Sequence, residues 1–279
     1  MNIDQPTNPN TAFAIKFWGV RGQVPAPGQE TYRFGGNTSC LEINVGQQRL
    51  IFDGGTGLRV LGNALLAQMP VEAHLFFTHA NWDRIQGFPF FVPAFVPINS
   101  FHIHGTATHE GKSFEEKLVK QMHGPNFPVP IQVMGAKLNF QPLKAGDVVE
   151  LDAVKVSSHL LHHQHQAIGY RVTYRNVSVV YATDSDVENT ENRHALAELA
   201  RNADLLILNT PIPYSHQADL SAWQQLLNFA TDINVKQLLF STHDPNCHDQ
   251  HLEKLEATLQ ASYPNVKFAK EGEAIAMSA

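Results

Sequence analysis

The amino-acid sequence predicts an α/β (α+β) fold in which two β-sheets pack against each other between outer helices. Strand-like segments dominate the first part of the chain, and strand-like and helix-like segments alternate in the last third. The two halves are similar, and no long linker, repeat or low-complexity tract separates them. Sheets and amphipathic helices bury their apolar faces in such layers. We therefore expect a single domain at residues 13–279, preceded by a flexible N-terminus at residues 1–12.

The elements of the first half follow from short apolar runs and the turns between them. Gly46-Gln47 interrupts one apolar stretch, which predicts a β-hairpin. The glycine-rich turn 53–57 precedes a helical segment. The predicted elements are strands at 13–18, 38–52, 73–77 and 101–104, helices at 58–68 and 113–122, and a helix-capable segment that starts near Asp83.

The second half has the same alternation. Its predicted strands are 137–141, 147–157, 167–174, 177–183, 204–209, 236–241 and 265–269, and its predicted helices are 219–231 and 248–261. Within the first half lies GFPFFVPAFVP (87–97), whose prolines favour a rigid loop at the mouth of a site. We expect its aromatic side chains to serve buried packing rather than to form a substrate lid.

Composition excludes several classes of partner. The formal net charge of −6 disfavours a general nucleic-acid or anionic-membrane surface, although a local basic groove remains compatible. No apolar run approaches the roughly 20 residues that span a bilayer, and the opening MNIDQPTNPNT lacks the features of a secretory signal. We expect a cytoplasmic protein in which Cys40 and Cys247 are reduced thiols. A homodimer is compatible with the sequence, which does not decide the oligomeric state.

Polar residues follow several of the predicted strands. The segment THANWDRIQG (78–87) begins where the buried run 73–77 ends, and a loop at such a position places polar side chains at one point, as metal ligands require. Each further polar residue also has an ordinary structural explanation. Asp53 lies in a glycine-rich turn, His163 could be a surface or core histidine, and Asp184 could cap a helix or turn.

Taken in chain order, the motifs resemble the metallo-β-lactamase superfamily, in its ribonuclease Z-like or cyclic-nucleotide-phosphodiesterase-like branch. They are FWGVRGQVPAPG (17–28), RFGGNTSC (33–40), IFDGGTGLRVLG (51–62), THANWDRIQG (78–87), LLHHQHQAIGYRV (160–172), YATDSD (181–186) and LLFSTHDPNCHD (238–249). The resemblance covers about residues 13–250. It implies the four-layer αββα sandwich of the metallo-β-lactamase fold and, since members of the branch are typically phosphodiesterases, a phosphodiesterase-type hydrolase.

The resemblance also implies the residues of the first metal position. The family signature HxHxDH corresponds here to His79, Asn81, Asp83 and Arg84, so two of its three histidines are absent. The first ion would be bound by His79, Asn81, His163 and the bridging Asp184. Three good donors remain, since an amide oxygen is a poor ligand for zinc. The resemblance assigns Asp53 to orienting the ligands without touching the metal.

The second metal position is more severely altered. It would consist of Asp83, Arg84, Asp184 and Thr242, and a guanidinium has no free lone pair to donate to a metal. We expect Arg84 to pair with Asp83 or Asp184 and to take the place of the second ion. Relatives usually read HHDP in the last motif, where this chain has Thr242 followed by His243. His243 could supply a ligand only if the loop shifts its register.

Two functions are compatible with these residues. The first is a hydrolase with an impaired site that holds at most one zinc ion, at His79, His163 and Asp184, with Asp83 and Asp184 as the candidate catalytic carboxylates. Its substrate would be a small phosphodiester or similar ester. The second is a catalytically inactive pseudoenzyme that uses the old pocket for ligand binding or as a scaffold. A second metal ion is not expected in either case.

Overall fold

The computed structural model of the chain contains two seven-stranded β-sheets. It describes residues 13–107, 111–125, 127–162, 167–185, 187, 189–210 and 220–278, without the side chains of His162 and Leu220. The sheets face each other, and helices cover their outer faces. The predicted αββα sandwich is therefore confirmed. The predicted flexible N-terminus, residues 1–12, lies outside the described residues.

The first sheet combines antiparallel and parallel pairing. Its strands are β1 (Phe13–Gly19), β2 (Cys40–Val45), β3 (Gln48–Phe52), β4 (Glu72–Phe76), β5 (Ser100–Thr106), β6 (Lys137–Leu143) and β14 (Ala274–Ala276). Their order is β14-β1-β2-β3-β4-β5-β6. Pairing is antiparallel from β14 to β3 and parallel from β3 to β6. The carboxyl ends of β3 and β4 therefore lie at the same edge of this sheet.

The second sheet is built in the same way. Its strands are β7 (Val148–Leu151), β8 (Val154–His162), β9 (Ala167–Tyr174), β10 (Val177–Ala182), β11 (Leu205–Asn209), β12 (Gln237–Ser241) and β13 (Val266–Phe268). Their order is β13-β12-β11-β10-β9-β8-β7. Pairing is antiparallel from β7 to β10 and parallel from β10 to β13. The carboxyl ends of β10, β11 and β12 thus share an edge.

Helices cover both outer faces. They are α1 (Thr56–Leu65), α2 (Trp82–Ile85), α3 (Phe114–Gln121), α4 (Thr190–Ala200), α5 (Leu220–Asp232) and α6 (Asp249–Gln260). Short 3-10 turns lie at Leu66–Gln68, Phe88–Phe90, Val92–Phe95 and Ile131–Val133. None of the described helices is long and apolar enough to cross a membrane.

Three apolar clusters hold the layers together. One lies between the sheets and joins Phe17, Phe52 and Phe76 of the first sheet to Tyr170 and Tyr181 of the second. The other two lie under the helices of each sheet. Burial on both faces explains the apolar runs of the inner strands, because removing apolar surface from water contributes about 25 cal/mol per Å².

The structure corrects three expectations about secondary structure. Residues 147–157 form two strands joined by a tight turn rather than one strand, and Asp152 in that turn has a φ of 53°. The helix Thr190–Ala200 was not predicted, because most of its residues are polar or small; the side chain of Asn189 caps it by accepting from the backbone N–H groups of Glu191 and Asn192. The edge strand Ala274–Ala276 was also not predicted.

Of two other expectations, one holds for part of its segment and one holds fully. In the aromatic segment 87–97, Phe88, Phe91 and Ala94 are buried under the first sheet, whereas Phe90 is 52% exposed. Cys40 and Cys247 are buried, unpaired thiols.

Candidate functional site

The candidate site lies at the edge where parallel strands from both sheets end. Asp53 follows β3, His79 follows β4, Asp184 follows β10 and Thr242 follows β12. Asp53, Asp184 and Thr242 have φ angles of 61°, 72° and 56°. Non-glycine residues rarely adopt this left-handed conformation, and such backbone strain clusters at functional sites. Several polar residues therefore lie at this edge, three of them in the left-handed backbone conformation.

Close packing of the backbone brings the loops of the first sheet together. A Cβ atom on Gly55 would lie 2.6 Å from the carbonyl oxygen of Asp83, and one on Gly87 would lie 1.9 Å from the carbonyl oxygen of Gly55. Glycine is therefore required at these two positions so that the turn after β3 can touch α2. This contact places Asp83 and Arg84 beside Asp53.

Arg84 is the centre of the site. Its side chain is 1% exposed, and its Nη1 lies 3.0 Å from Asp53 Oδ2, its Nε 3.2 Å from Asp83 Oδ2 and its Nη2 2.5 Å from Asp184 Oδ2. Nη1 also donates to the hydroxyl of Tyr181 at 3.3 Å. The expected ion pairs with Asp83 and Asp184 are thus present, and Asp53 adds a third.

The protonation of Arg84 follows from these partners. Burial alone would lower the pKa of its guanidinium, but the negative charges of Asp184, Asp53 and Asp83, together with Tyr181, raise that pKa above its ordinary value. The group is permanently cationic. A buried cation with these charge-assisted contacts is held in one position.

Asp53 is fully enclosed by donors. It accepts from the Thr78 backbone N–H at 2.8 Å, the Thr78 hydroxyl at 2.9 Å and the Tyr181 hydroxyl at 2.9 Å. Burial raises the pKa of its carboxyl, and the positive charge of Arg84 opposes that rise. Asp53 reaches His79 only through Thr78, whose hydroxyl lies 3.2 Å from His79 Nδ1.

His79 occupies the inner wall of the site. Its side chain is 4% exposed, and its Nε2 lies 3.7 Å from Asp184 Oδ2. Two ligands of one zinc ion, each about 2 Å from it, can be separated by such a distance. Asn81, at the next ligand position of the family signature, is exposed and precedes α2 without capping it through its side chain.

In the last motif, the side chains of Thr242 and His243 make their hydrogen bonds to backbone carbonyls rather than to the acidic residues of the site. The Thr242 hydroxyl donates to the carbonyl of Ser241 at 2.7 Å. His243 is fully buried between the rings of Phe34 and Phe268, and its Nε2 lies 2.8 Å from the carbonyl oxygen of Ala269. Burial lowers its pKa to about 3. His243 is therefore a neutral core histidine in this structure, and the register shift that would make it a ligand is not seen.

The third-motif candidate, His163, lies outside the described residues, as does His165. The chain beyond them is anchored close to the site. The backbone N–H of Ile168 donates to the carbonyl of Thr78 at 2.8 Å, and the hydroxyl of Tyr170 donates to the carbonyl of Phe77 at 2.6 Å. The start of β9 thus contacts the loop that carries His79.

The described residues do not fit a dinuclear metal centre. The guanidinium of Arg84 lies among the carboxylates that would hold the second ion, and Thr242 supplies no imidazole. Within the described ranges, no group of three or more His, Cys, Asp or Glu side chains is arranged to hold a metal ion. At the first position, His79 and Asp184 are the described ligands of the predicted set.

Sequence patterns did not identify two residues of this site, Tyr181 and Thr78. Both lie within the quoted motifs, but neither is at a metal-ligand position of the family. Tyr181 belongs to an apolar strand, which predicts a core side chain rather than a polar partner. The only sequence signal for its role is that tyrosine carries a hydroxyl group, which needs a hydrogen-bond partner when the surrounding strand is buried.

An aromatic rim flanks the site. Trp82 on α2 is 58% exposed and Phe90 is 52% exposed, although both are large and apolar. The ring of Phe90 contacts that of Phe127 edge to face, with centroids 5.5 Å apart. Phe90 therefore brings segment 87–97 to the surface, whereas Trp82 belongs to α2.

Known proteins show the same architecture. The sequence model of the Beta-lactamase superfamily domain matches residues 48–243, more than half of the chain. The metallo-β-lactamase fold protein YhfI from Bacillus subtilis superposes with a TM-score of 0.65 at 16% identity, covering 94% of this chain and 99% of that protein. No curated protein matches the chain.

Two further structures are similar over comparable lengths. A diphosphatase of the PhnP family has a TM-score of 0.65 and 14% identity, covering 95% of this chain and 98% of its own. The short form of human tRNase Z has a TM-score of 0.64 and 14% identity, covering 95% of this chain and 100% of its own. At these identities the likeness shows the fold.

Proposed function

We propose a function on the premise that this chain belongs to the metallo-β-lactamase superfamily, in its ribonuclease Z-like branch. The protein is a phosphodiesterase-type member whose metal site is impaired. It binds at most one zinc ion, and it hydrolyses phosphodiesters weakly or not at all. The substrate or ligand is a small phosphodiester or a similar ester.

The observation that carries this proposal is the position of Arg84. Its guanidinium contacts Asp53, Asp83 and Asp184 at 3.0, 3.2 and 2.5 Å. A divalent ion could enter among these carboxylates only by displacing a buried, permanently charged side chain. Arg84 therefore supplies the positive charge that the second ion would supply, but only half of it, and it cannot activate water.

The balance of charges in the site explains why phosphodiester hydrolysis is expected to be weak. Three carboxylates, those of Asp53, Asp83 and Asp184, surround the single guanidinium of Arg84. A phosphodiester is an anion, and its transition state needs cationic or hydrogen-bond donors aimed at the developing charge. Without a metal ion the site repels such a substrate.

One observation favours a single metal ion. The 3.7 Å separation between His79 Nε2 and Asp184 Oδ2 suits two ligands of one zinc ion. His163 is the candidate for the third ligand. An ion bound by these residues would supply Lewis acidity and an activated water.

Another observation favours the pseudoenzyme. The same Asp184 oxygen lies 2.5 Å from Arg84 Nη2, so an ion at the first position would compete with an existing charge-assisted contact. A pocket held in this way could bind a ligand or a partner without hydrolysing anything.

Metal analysis combined with a generic assay separates these outcomes. The protein is purified without added zinc, its metal content is measured per chain, and turnover of bis(p-nitrophenyl) phosphate is followed with and without chelator. We expect no more than one ion per chain and weak or absent turnover. Any turnover should be lost in His79→Ala and His163→Ala, whereas His194→Ala on the exposed face of α4 should leave it unchanged.

Two results would contradict the proposal. Two ions per chain would show that Arg84 does not exclude the second metal. Turnover that is lost on chelation but unaffected by His79→Ala would show that the active site lies elsewhere.

A further inference from the structure

Arg84 joins the two halves of the sandwich at the floor of the site. Its partners Asp53 and Asp83 come from the turn after β3 and from α2, both on the first sheet. Its partners Tyr181 and Asp184 come from β10 and the turn after it, on the second sheet. The same side chain therefore bonds to loops that are far apart in the sequence.

The contacts extend from Arg84 to the other polar residues of the site. Asp53 accepts from Thr78, and the hydroxyl of Thr78 lies 3.2 Å from His79 Nδ1. Asp184 lies 3.7 Å from His79 Nε2. Both ring nitrogens of His79 thus face residues that are linked to Arg84, Asp184 directly and Thr78 through Asp53.

From this geometry we infer that Arg84 is the positioning residue that assembles the pocket without a metal ion. It does so by cross-linking the two sheets, which is the work that a bound metal does when ligands come from both. The inference rests on the proposal that Arg84 occupies the place of the second ion. It goes further in stating that the folded pocket depends on Arg84 and is independent of metal.

This role has a consequence that ordinary core packing would not have. Without Arg84, the carboxylates of Asp53, Asp83 and Asp184 would lose the cation that all three contact, and like charges brought close together repel. A divalent cation would relieve the repulsion. Loss of Arg84 should therefore convert a metal-independent protein into a metal-dependent one. Mn²⁺ is a suitable probe because carboxylate and water ligands suit it.

The experiment compares thermal unfolding in EDTA with unfolding in about 1 mM MnCl₂. The wild-type midpoint should differ between the two solutions by much less than that of Arg84→Met, because Arg84 keeps the second metal position closed. Arg84→Met should lower the midpoint in EDTA by about 10 °C, and Mn²⁺ should restore several degrees of that loss. Arg84→Lys, which keeps the charge but not the planar fork, should lie in between and should not respond to Mn²⁺.

Arg21 provides a matched control. It is the other fully buried arginine, but its guanidinium donates mainly to the backbone carbonyls of Gly35, Asp244 and Cys247. Arg21→Met should also lower the midpoint, but Mn²⁺ should restore none of the loss. A response to Mn²⁺ in both methionine variants would indicate binding elsewhere and would overturn the inference.

Other results would overturn it as well. These are a wild-type midpoint that depends on metal as strongly as that of Arg84→Met, an Arg84→Met protein as stable as the wild type, and an Arg84→Met protein that stays unfolded or unstable in Mn²⁺. If Arg84→Met folds only when Mn²⁺ is present, the inference is supported in its strongest form. Failure of the proposed function is separately visible, as two metal ions per wild-type chain or as turnover that is lost on chelation but unaffected by His79→Ala.

Discussion

Two buried arginines, Arg84 and Arg21, show two different ways of accommodating a cation inside the same protein. Arg84 is 1% exposed and Arg21 is 0% exposed. Arg84 is surrounded by three carboxylates. Arg21 donates to the carbonyls of Gly35, Asp244 and Cys247 at 2.7, 3.0 and 2.8 Å, and its nearest carboxylate oxygen, on Asp249, is 3.8 Å away.

The two environments act on the charge in opposite directions. Burial lowers the pKa of Arg21, and nearby acidic groups only partly compensate. At Arg84 the effect of burial is outweighed by Asp184, Asp53, Tyr181 and Asp83, so its pKa is raised. Carbonyl groups therefore accept the hydrogen bonds of Nε and Nη1 of Arg21, whereas its buried Nη2 has no hydrogen-bond partner among the described residues and lies 3.8 Å from Asp249 Oδ1. At Arg84, in contrast, three carboxylates surround one cation. More carboxylates than positive charges is the arrangement that suits a divalent metal ion.

The largest expected difference concerns the acidic partners. Asp53→Asn should lower the free energy of unfolding by about 3–5 kcal/mol at pH 7, because it breaks a buried ion pair and disturbs the bonds from Thr78 and Tyr181. Asp249→Asn should cost about 1–3 kcal/mol, since Arg21 keeps its carbonyl partners. Urea denaturation of both variants measures the difference. Equal losses would mean that the two arginines are held in the same way.

Lowering the pH should destabilise the region around Arg21, because folding opposes the protonation of the buried His243. Its folded pKa is lowered to about 3, chiefly by burial and also by Arg21. Its contribution to stability is therefore complete above the unfolded value of about 6.5 and is lost as the pH falls towards the folded value. Between pH 7 and pH 5 the loss should be about 2 kcal/mol. His243→Gln should remove this part of the pH dependence in denaturation curves.

A loss of stability as the pH falls is also expected from a separate pair of histidines between the sheets. His74 and His104 lie on β4 and β5 with ring nitrogens 3.1 Å apart, and burial lowers their pKa values to about 4 and about 3. They should add to the acid sensitivity of the wild type. A His243→Gln protein that retains the full wild-type pH dependence would show that these two histidines, and not the Arg21 region, dominate it.

A smaller effect is expected from the tyrosine beside Arg84. The Tyr181 hydroxyl donates to Asp53 at 2.9 Å and accepts from Arg84 at 3.3 Å. Tyr181→Phe should cost about 1.5–2 kcal/mol, as for hydrogen bonds to charged groups. Tyr170→Phe, which removes a bond to the backbone carbonyl of Phe77, should cost about 1 kcal/mol. If Tyr170→Phe cost more stability than Tyr181→Phe, the charges around Arg84 would not strengthen the hydrogen bonds of Tyr181.

The smallest effect should come from the exposed ion pair near Arg21. Arg33 Nη1 lies 2.5 Å from Glu253 Oε1, and both side chains are more than 40% exposed. Glu253→Gln should change the free energy of unfolding by less than about 1 kcal/mol, and the change should vanish in about 1 M salt. A larger, salt-resistant loss would mean that the Arg21 region also depends on a charge network.

Much of the fold was predictable because its signals are local. Alternating and continuous apolar runs located the strands on both sides of the pocket, and Gly46 marked the turn between β2 and β3. The hairpin at Asp152 was missed because no glycine or proline interrupts that apolar run. The helix after Asn189 was missed because it has few large apolar residues.

The sequence by itself determined the family resemblance, the order of polar residues at strand ends and the chemical fact that Arg84 cannot ligate a metal. Only the tertiary structure decided that Asp53 and Tyr181 join Arg84, and that His243 faces the core rather than the pocket. The physical reason is that these are contacts between distant strand ends. A buried cation draws its counter-charges from whichever chain segments the packing brings near, and the spacing of residues along the chain does not record them.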